Sequence, residues 1–224
     1  MEPIDYILQS LQHDISKVEV ISQNLANAQT PGFQASHVFS EYMSSSEGSK
    51  LQTLLANSNS TIQKTQRSLD VAILSDAYLQ VELNGETLLT RHGRLHTDKD
   101  GNLLHVSGGK VLGESGYIQL PEGDIEIKAN GELHVAGHEV DKLFLVTMNG
   151  TEKTEYRGAG LFANASYSPA SAQVEQFALN SANVNTTQDM IRLIETSRHA
   201  ESLQRAFHAL DQIKNAGINE LGKK

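Results

Sequence analysis

The sequence predicts an α+β protein, in which N- and C-terminal α-helices pair in a coiled-coil-like manner and flank a central antiparallel β domain. Apolar residues recur every three or four positions at both ends, and short Val-, Ile- and Leu-rich runs separated by turn pairs fill the middle. At 224 residues the chain can bury a sizeable core. We predict five segments: an N-terminal helix and turn (1–33), a linker (34–66), a central β domain (67–165), a return segment (166–183) and a C-terminal helix (184–224).

The N-terminal helix is indicated by apolar positions whose steps alternate between four and three, as in the seam of a coiled coil. Near its end, Asn24 and Asn27 lie one turn apart, so their amides point the same way. Asn is a mediocre helix former, and these two amides therefore suggest groups that await a hydrogen-bonding partner. The seam residues are Ile4, Leu8, Leu11, Ile15, Val18, Ser22 and Leu25.

A sharp stop follows this helix. Pro31 disfavours helical backbone at Thr30, and Gly32 permits a turn. We expect Gly32 to adopt a backbone conformation that residues with a β-carbon resist.

The middle of the chain predicts an antiparallel β domain. Residues 43–61 are rich in Ser and Asn and predict a linker or flexible loop. From Leu69 onward, the β-forming runs are LDVAIL, AYLQVEL, YIQL, DIEIK, ELHVA and LFLVTM. The turn pairs between them are Asn84-Gly85, Asp100-Gly101, Asn130-Gly131 and Asn149-Gly150.

The C-terminal helix is predicted to start at an Asn cap, either Asn183 or Asn185, and Gly217 is a plausible end. One apolar seam is too thin to cover either terminal helix, even when the two helices pair, so we expect neighbours from other chains. The face of this second helix comprises Met190, Leu193, Ser197, Ala200, Leu203, Phe207, Leu210 and Ile213.

Composition excludes several classes of function. A net charge of −9 argues against nucleic-acid binding, which depends on Lys and Arg. Without cysteine the chain has no disulfide, thiolate-zinc site or thiol nucleophile. Acidic residues replace the basic region of a cleavable signal peptide, and no apolar run is long enough to span a bilayer.

The motifs that carry chemistry elsewhere favour structural interpretations here. The pairs His92/His96 and His134/His138 suit a metal only on a helix, and both lie in β territory, so we expect no metal ligand and no cofactor. The alternating carboxylates of 122–126 predict a solvated strand face rather than a catalytic pair. Gly108-Gly109-Lys110 lacks the spacing of a phosphate loop and predicts a turn.

Four ordered motifs resemble those of the bacterial flagellar rod and hook proteins. ISQNLANAQTPGF at 21–33 resembles the N-terminal Asn-Leu-Ala-Asn and Thr-x-Gly-Phe signature, and SLDVAI at 68–73 resembles the entry into the β domain. TRHGRL at 90–95 resembles the Thr-Arg-x-Gly turn, and Asn183-Val184-Asn185 with Asp189-Met190 resembles the C-terminal signature. Asn180 stands where the family usually has Glu, and His199 where it has Tyr.

The resemblance implies a structural subunit, not an enzyme, that polymerises through its terminal helices into a hollow helical tube: the rod that transmits torque across the periplasm. It implies export through the flagellar type III apparatus without a cleaved signal, and self-copies and other rod or hook proteins as partners, with neither nucleic acid nor membrane insertion. The amides of Asn24 and Asn27 would then bond between packed helices. The short segment between Phe33 and Thr61 is most like that of the proximal-rod member.

The residues expected at subunit contacts and at the turn follow from the same resemblance. The expected turn is Thr30, Pro31, Gly32 and Phe33. The expected subunit-packing residues are Leu8, Leu11, Ile15, Val18, Asn24, Leu25, Asn27, Asn183, Val184, Met190, Ile194, Leu203, Phe207 and Leu210.

Three alternatives remain open. Within the family, the chain could be a distal-rod or hook-type subunit. Outside it, the chain could be a surface-binding β module on a coiled-coil stalk, or a β-domain hydrolase with helical dimerisation arms. The hydrolase would need convergent catalytic groups in a pocket, and the sequence offers none.

Overall fold

The computed structural model describes residues 3–41, 50–55, 60–149, 154–163 and 166–221. The chain forms two compact units. The first comprises Met1–Ala26, Ser36–Gln52 and Asn185–Lys224, and the second comprises Asn27–Ala35 and Thr53–Val184. Among the described residues, no helix is long and apolar enough to cross a membrane.

The first unit is built on two long helices. Helix α1 (Pro3–Ala26) packs against α2 (Thr186–Leu221) and against strand β1 (Ser36–Glu41), which forms a two-stranded sheet with β2 (Lys50–Leu55). The helices run antiparallel, because Asp14 contacts His199 while Lys17 and Val20 line the same groove as Asp189.

The start of α2 is a capped helix terminus. The Asn185 side chain accepts a hydrogen bond from the Gln188 amide at 3.1 Å, which confirms Asn185 as the cap. The helix does not end at Gly217, as the sequence suggested, but continues to Leu221. A single glycine inside a helix costs only about 1 kcal/mol relative to alanine, so it does not have to end the helix.

The second unit is an antiparallel β structure. Its main sheet follows the order β15-β16-β6-β5-β9-β8-β7, with β14 beside β5, β17 beside β14 and β10 beside β9. Separate small sheets are β11-β12-β13, β18-β4 and β19-β3. The strands are β3 (Ile62–Lys64), β4 (Val71–Ile73), β5 (Tyr78–Leu83), β6 (Glu86–Thr90), β7 (Leu95–Thr97), β8 (Leu103–His105), β9 (Lys110–Gly113), β10 (Gly116–Tyr117), β11 (Ile125–Ile127), β12 (Glu132–Val135), β13 (His138–Lys142), β14 (Leu145–Met148), β15 (Glu155–Gly158), β16 (Leu161–Ala163), β17 (Tyr167–Pro169), β18 (Val174–Gln176) and β19 (Ala178–Asn180).

The predicted α+β class is confirmed. The predicted turn at Asn84-Gly85 is also present. Asn84 and Gly85 both have positive φ, 55° and 81°, between paired Leu83 and Glu86, which is a two-residue type I′ turn. Gly101 and Gly131 also have positive φ, at 80° and 88°. The predicted Asn149-Gly150 turn and most of the predicted 43–61 loop lie outside the described residues.

The predicted linker and return segment contain strands. β1, β2 and β3 fall within 34–66, and β17, β18 and β19 fall within 166–183. β3 pairs with β19 and β4 pairs with β18, so two chain segments separated by about a hundred residues close the second unit. Local composition does not show these pairings, because each strand has only three residues.

The core of the second unit is aliphatic. Fully buried Leu, Val and Ile side chains from most strands form a single cluster, and a smaller one contains Tyr78, Leu89 and Val146. The main cluster includes Val71, Leu79, Val81, Leu95, Leu103, Val111, Ile118, Leu133 and Leu161.

Candidate interaction surface

The turn after α1 is closed by hydrogen bonds at both of its ends. The Thr30 amide donates to the Asn27 carbonyl at 2.9 Å, and the Phe33 amide donates to the Thr30 carbonyl at 3.2 Å. Gly32 has φ 68°, as expected, and its amide donates to the Asn180 carbonyl at 2.7 Å. The turn is thus fixed to strand β19.

Gly32 also lies directly on the backbone of the 90–95 motif. A β-carbon at this position would lie 2.2 Å from the carbonyl carbon of Arg91 and 2.4 Å from the amide nitrogen of His92. Only glycine therefore allows both the positive φ and this approach of two backbones.

Phe33 anchors the turn in an aromatic cluster. Its ring is fully buried, with centroids 5.3 Å from Tyr156 and 6.1 Å from Phe162. The Tyr156 hydroxyl donates to the Asn27 side-chain oxygen at 2.7 Å. Burial raises the pKa of Tyr156, so it remains a neutral donor at ordinary pH.

The Asn24 amide has a partner within the chain, which corrects the expectation of a bond between helices. Its side-chain nitrogen donates to the Ser36 carbonyl and its oxygen accepts from the Ser36 amide, both at 2.9 Å. The side chain is almost fully buried and attaches the start of β1 to the last turns of α1. Asn27 likewise bonds to Tyr156 and Thr30.

Asn180 repeats this arrangement in the second unit. Its side-chain oxygen accepts from the Ile73 amide at 2.8 Å and its nitrogen donates to the Ile73 carbonyl at 2.9 Å. Asn183 accepts from the Ala35 amide at 2.5 Å and donates to the Gln34 side chain at 3.2 Å. The motifs around Thr30, Ile73, Arg91 and Asn183, distant in sequence, thus meet in one network.

The half-buried face of α1 differs from the predicted seam. Ile4, Leu11, Val18 and Leu25 are half-buried as expected, but Leu8 and Ile15 are 42% and 55% exposed. The positions between them on the half-buried face are Ile7, Asp14 and Ile21. Buried Asp14 bonds to His199 at 2.5 Å across the helix pair.

Helix α2 likewise carries both half-buried and exposed apolar side chains. Leu193, Ala200, Leu203, Phe207 and Leu210 are half-buried, as is Val184 just before the helix, whereas Met190 and Ile194 are 50% and 54% exposed. The predicted packing residues therefore include some that cover the helix pair itself and others that the single chain leaves open. The open set consists of Leu8, Ile15, Met190 and Ile194.

Sequence reasoning missed several residues of this region. Tyr156 and Ser36 carry no motif, and Asp14 is not part of the predicted seam. Asn180 was noted only as a departure from the family pattern. The signal that could have drawn attention to Asp14 is its place at the three-four spacing between Leu11 and Val18.

Comparisons with known proteins agree with this organisation. Residues 11–34 match the family model described as flagella basal body rod protein, and residues 72–135 match the flagellar hook protein FlgE/F/G D1 domain. The flagellar basal-body rod protein FlgF of Mesorhizobium japonicum is 27% identical over 98% of both chains. FlgF of Escherichia coli is 29% identical over 91% of this chain and 90% of its own length, and FlgG of Bacillus subtilis is 26% identical over 91% and 93%.

Helical ends, an intervening antiparallel β domain and the turn that joins them define the rod and hook class of structural proteins. Both family models fall on the elements that carry these features, α1 with its turn and the strands from β4 to β12. These matches, which extend over nearly the full chain, support a flagellar basal-body rod protein.

Proposed function

We propose that this structural subunit of the flagellar basal-body rod polymerises through α1 and α2 into a hollow helical tube that transmits torque across the periplasm. The single observation that carries this is the open apolar set, Leu8, Ile15, Met190 and Ile194, on the helix pair. Another chain that packs against the helix pair would cover these exposed apolar side chains. A head-to-tail contact whose rotation does not close generates a helical filament.

The same helices support a coiled-coil-like packing between subunits. On α1 the half-buried face follows a three-four spacing, and exposed Leu8 and Ile15, seven residues apart, lie beside that face. A helix with two adjacent apolar faces packs against two neighbours. One neighbour is α2 of the same chain, and we propose that the other is a helix of the next subunit.

The position in the rod and the route to it belong to the same proposal. We place the subunit in the proximal rod, supported by the FlgF relatives that match nearly all of the chain, with a distal-rod position as the alternative. It reaches the basal body through the flagellar type III export apparatus, contacts other rod and hook proteins there, and performs no catalysis.

The decisive experiment places a charge in the open apolar set. Ile194→Asp would bury a carboxylate without a partner at a subunit contact, which costs several kcal/mol per contact. We expect the variant to be made and exported but absent from purified basal bodies, with motility lost.

The control is Gln204→Asp, which adds the same charge at an exposed polar position of the same helix. It should assemble nearly normally. Ile194→Asp subunits present in basal bodies at wild-type abundance would show that this helix face is not part of the rod interface.

A further inference from the structure

The outer face of the small sheet β11-β12-β13 gathers carboxylates around one histidine. His134 on β12 pairs directly with Glu126 on β11 and with Glu139 on β13. Glu132 lies two residues earlier on the same strand and therefore on the same face as His134. The alternate residues of β12, Leu133 and Val135, face the core.

His134 is held in this position with its outer ring nitrogen unsatisfied. Its side chain is 12% exposed, and Nε2 is buried without a hydrogen-bond partner among the described residues. Nε2 lies 3.5 Å from Glu132 Oε2. A buried ring nitrogen without a partner is unfavourable, and a second group placed between it and the carboxylate would remove that cost.

We propose that His134, Glu132 and Glu139 bind a divalent zinc-class cation on this sheet. One nitrogen and two carboxylate oxygens from the three residues lie within 4.8 Å of one another. Tetrahedral zinc with bonds of about 2.0–2.1 Å separates its ligand atoms by about 3.3 Å, close to the His134–Glu132 distance. Exposed Glu139 closes the remaining gap by a side-chain rotation, and a water molecule completes the tetrahedron.

The ligand set favours zinc over magnesium or calcium. Mg²⁺ and Ca²⁺ prefer all-oxygen sites, whereas an imidazole nitrogen with two carboxylates suits Zn²⁺. Two cations compete for these carboxylates. The Lys128 ammonium lies 3.9 Å from Glu132 Oε2, and Lys142 is the cross-strand partner of Glu132 and forms an ion pair with Glu114. Lys128 is nearly half exposed, and an ion pair of that kind is weak and readily displaced.

This inference departs from the sequence-based expectation of no metal, because the ligands are two residues of β12 and Glu139 of β13 rather than the His134/His138 pair. His138 pairs with Val135, whose side chain faces the core, so His138 lies on the opposite face from His134. The cation would link β12 to β13 beside the irregular register at Leu133 and His134, and so stabilise this hairpin.

The test is a titration of the full chain, freed of metal by a chelator, with zinc chloride in a calorimeter. We expect one saturable site and a higher Tm in zinc, since a ligand that binds only the folded state stabilises it. His134→Gln and Glu139→Gln should each weaken this site at least about tenfold. Magnesium chloride at equal concentration should give no saturable binding.

His138→Gln is the matched control, since it removes a histidine of the same hairpin from the opposite face and should bind zinc as the wild type does. Circular dichroism and Tm in chelator check that each variant folds. If His134→Gln does not fold, the result for Glu139→Gln decides the test, because Glu139 is exposed. The proposal is overturned by an absence of saturable zinc binding in the wild type. It is equally overturned if Glu139→Gln retains full affinity, or if His138→Gln loses as much as the other variants.

Discussion

Asn24 and Asn180 each use both ends of one side-chain amide to bond the amide and carbonyl of a single residue, Ser36 and Ile73 respectively. A buried amide that bonds both groups of its partner leaves no donor or acceptor unpaired. An unpaired buried donor or acceptor would destabilise the core. Aspartate would keep the acceptor but lose the donor. These two positions therefore require the amide itself and not merely a polar side chain of this size.

Gly32 is the residue at which backbone geometry is most demanding, and it yields a prediction. Gly32→Ala places a β-carbon 2.2 Å from the Arg91 carbonyl carbon, in addition to the strain of φ 68°. Gly85→Ala is the control, because Gly85 has φ 81° and open space around the β-carbon position. We expect Gly85→Ala to lower the free energy of unfolding by about 1–2 kcal/mol, the cost of left-handed backbone alone.

Gly32→Ala should cost clearly more, because the two backbones must separate to admit the methyl group. Urea unfolding of both variants measures the difference. Equal losses in the two variants would show that the turn can leave the Arg91 backbone without cost.

At the scale of elements, two short strand pairs decide where the second unit ends. β18 pairs with β4 and β19 pairs with β3, although both β18 and β19 lie beyond the β domain predicted to end at 165. Asn180 strengthens this closure through Ile73, and Gly32 adds its bond to the Asn180 carbonyl. The predicted return segment, 166–183, therefore contributes strands to the folded second unit.

Limited proteolysis tests this boundary. Because backbone held in paired strands resists cleavage, we expect a broad-specificity protease to remove the helical ends first and leave a fragment ending near Val184. The helices of the isolated subunit have open apolar faces and are the less protected part. A stable fragment ending near residue 165, where the sequence alone places the end of the β domain, would mean that β18 and β19 open readily. Mass spectrometry of the fragments distinguishes the two outcomes.

At the scale of the whole molecule, two buried histidines link stability to pH. His105 Nε2 lies 3.2 Å from His92 Nδ1 inside the second unit. Burial, reinforced by His92 and His96, lowers the pKa of His105 from 6.5 to about 3. Burial also lowers the pKa of His92, with Arg94 acting in the same direction and Ala159 and Asp70 opposing it. Both rings therefore remain neutral in the folded protein at pH values where the unfolded chain takes up protons.

The sign of the pH dependence follows from this difference. Below pH 6.5 the unfolded state binds more protons than the folded state, so the free energy of unfolding falls as the pH drops toward 3. The slope for each such ring is at most about 1.4 kcal/mol per pH unit. We expect urea unfolding between about pH 7 and pH 5 to show this loss, and His105→Gln to reduce its slope.

Exposed His138→Gln is the control for that measurement and should keep the wild-type slope, because His138 is not among the residues that shift the pKa of His105 or His92. A His105→Gln slope equal to that of the wild type would show that the buried pair is not the source of the pH dependence.

The sequence by itself determined the features that depend on neighbours along the chain. Helical periodicity at both ends, the cap at Asn185, the type I′ turn at Asn84-Gly85 and the positive φ of Gly32 all follow from local backbone and side-chain preferences. The four ordered motifs also carried the family, because their order along the chain needs no knowledge of the fold.

Only the tertiary structure decided which groups meet. Asn180 and Ile73 are 107 residues apart, and Asn183 and Ala35 are 148 apart, so no local pattern pairs them. The α1 face was decided in the same way: the helix pair buries Asp14, which bonds to His199, and leaves Ile15 exposed. Hydrophobicity alone favours the reverse choice, because the benefit of burying a charged group depends on a partner that only the folded chain supplies.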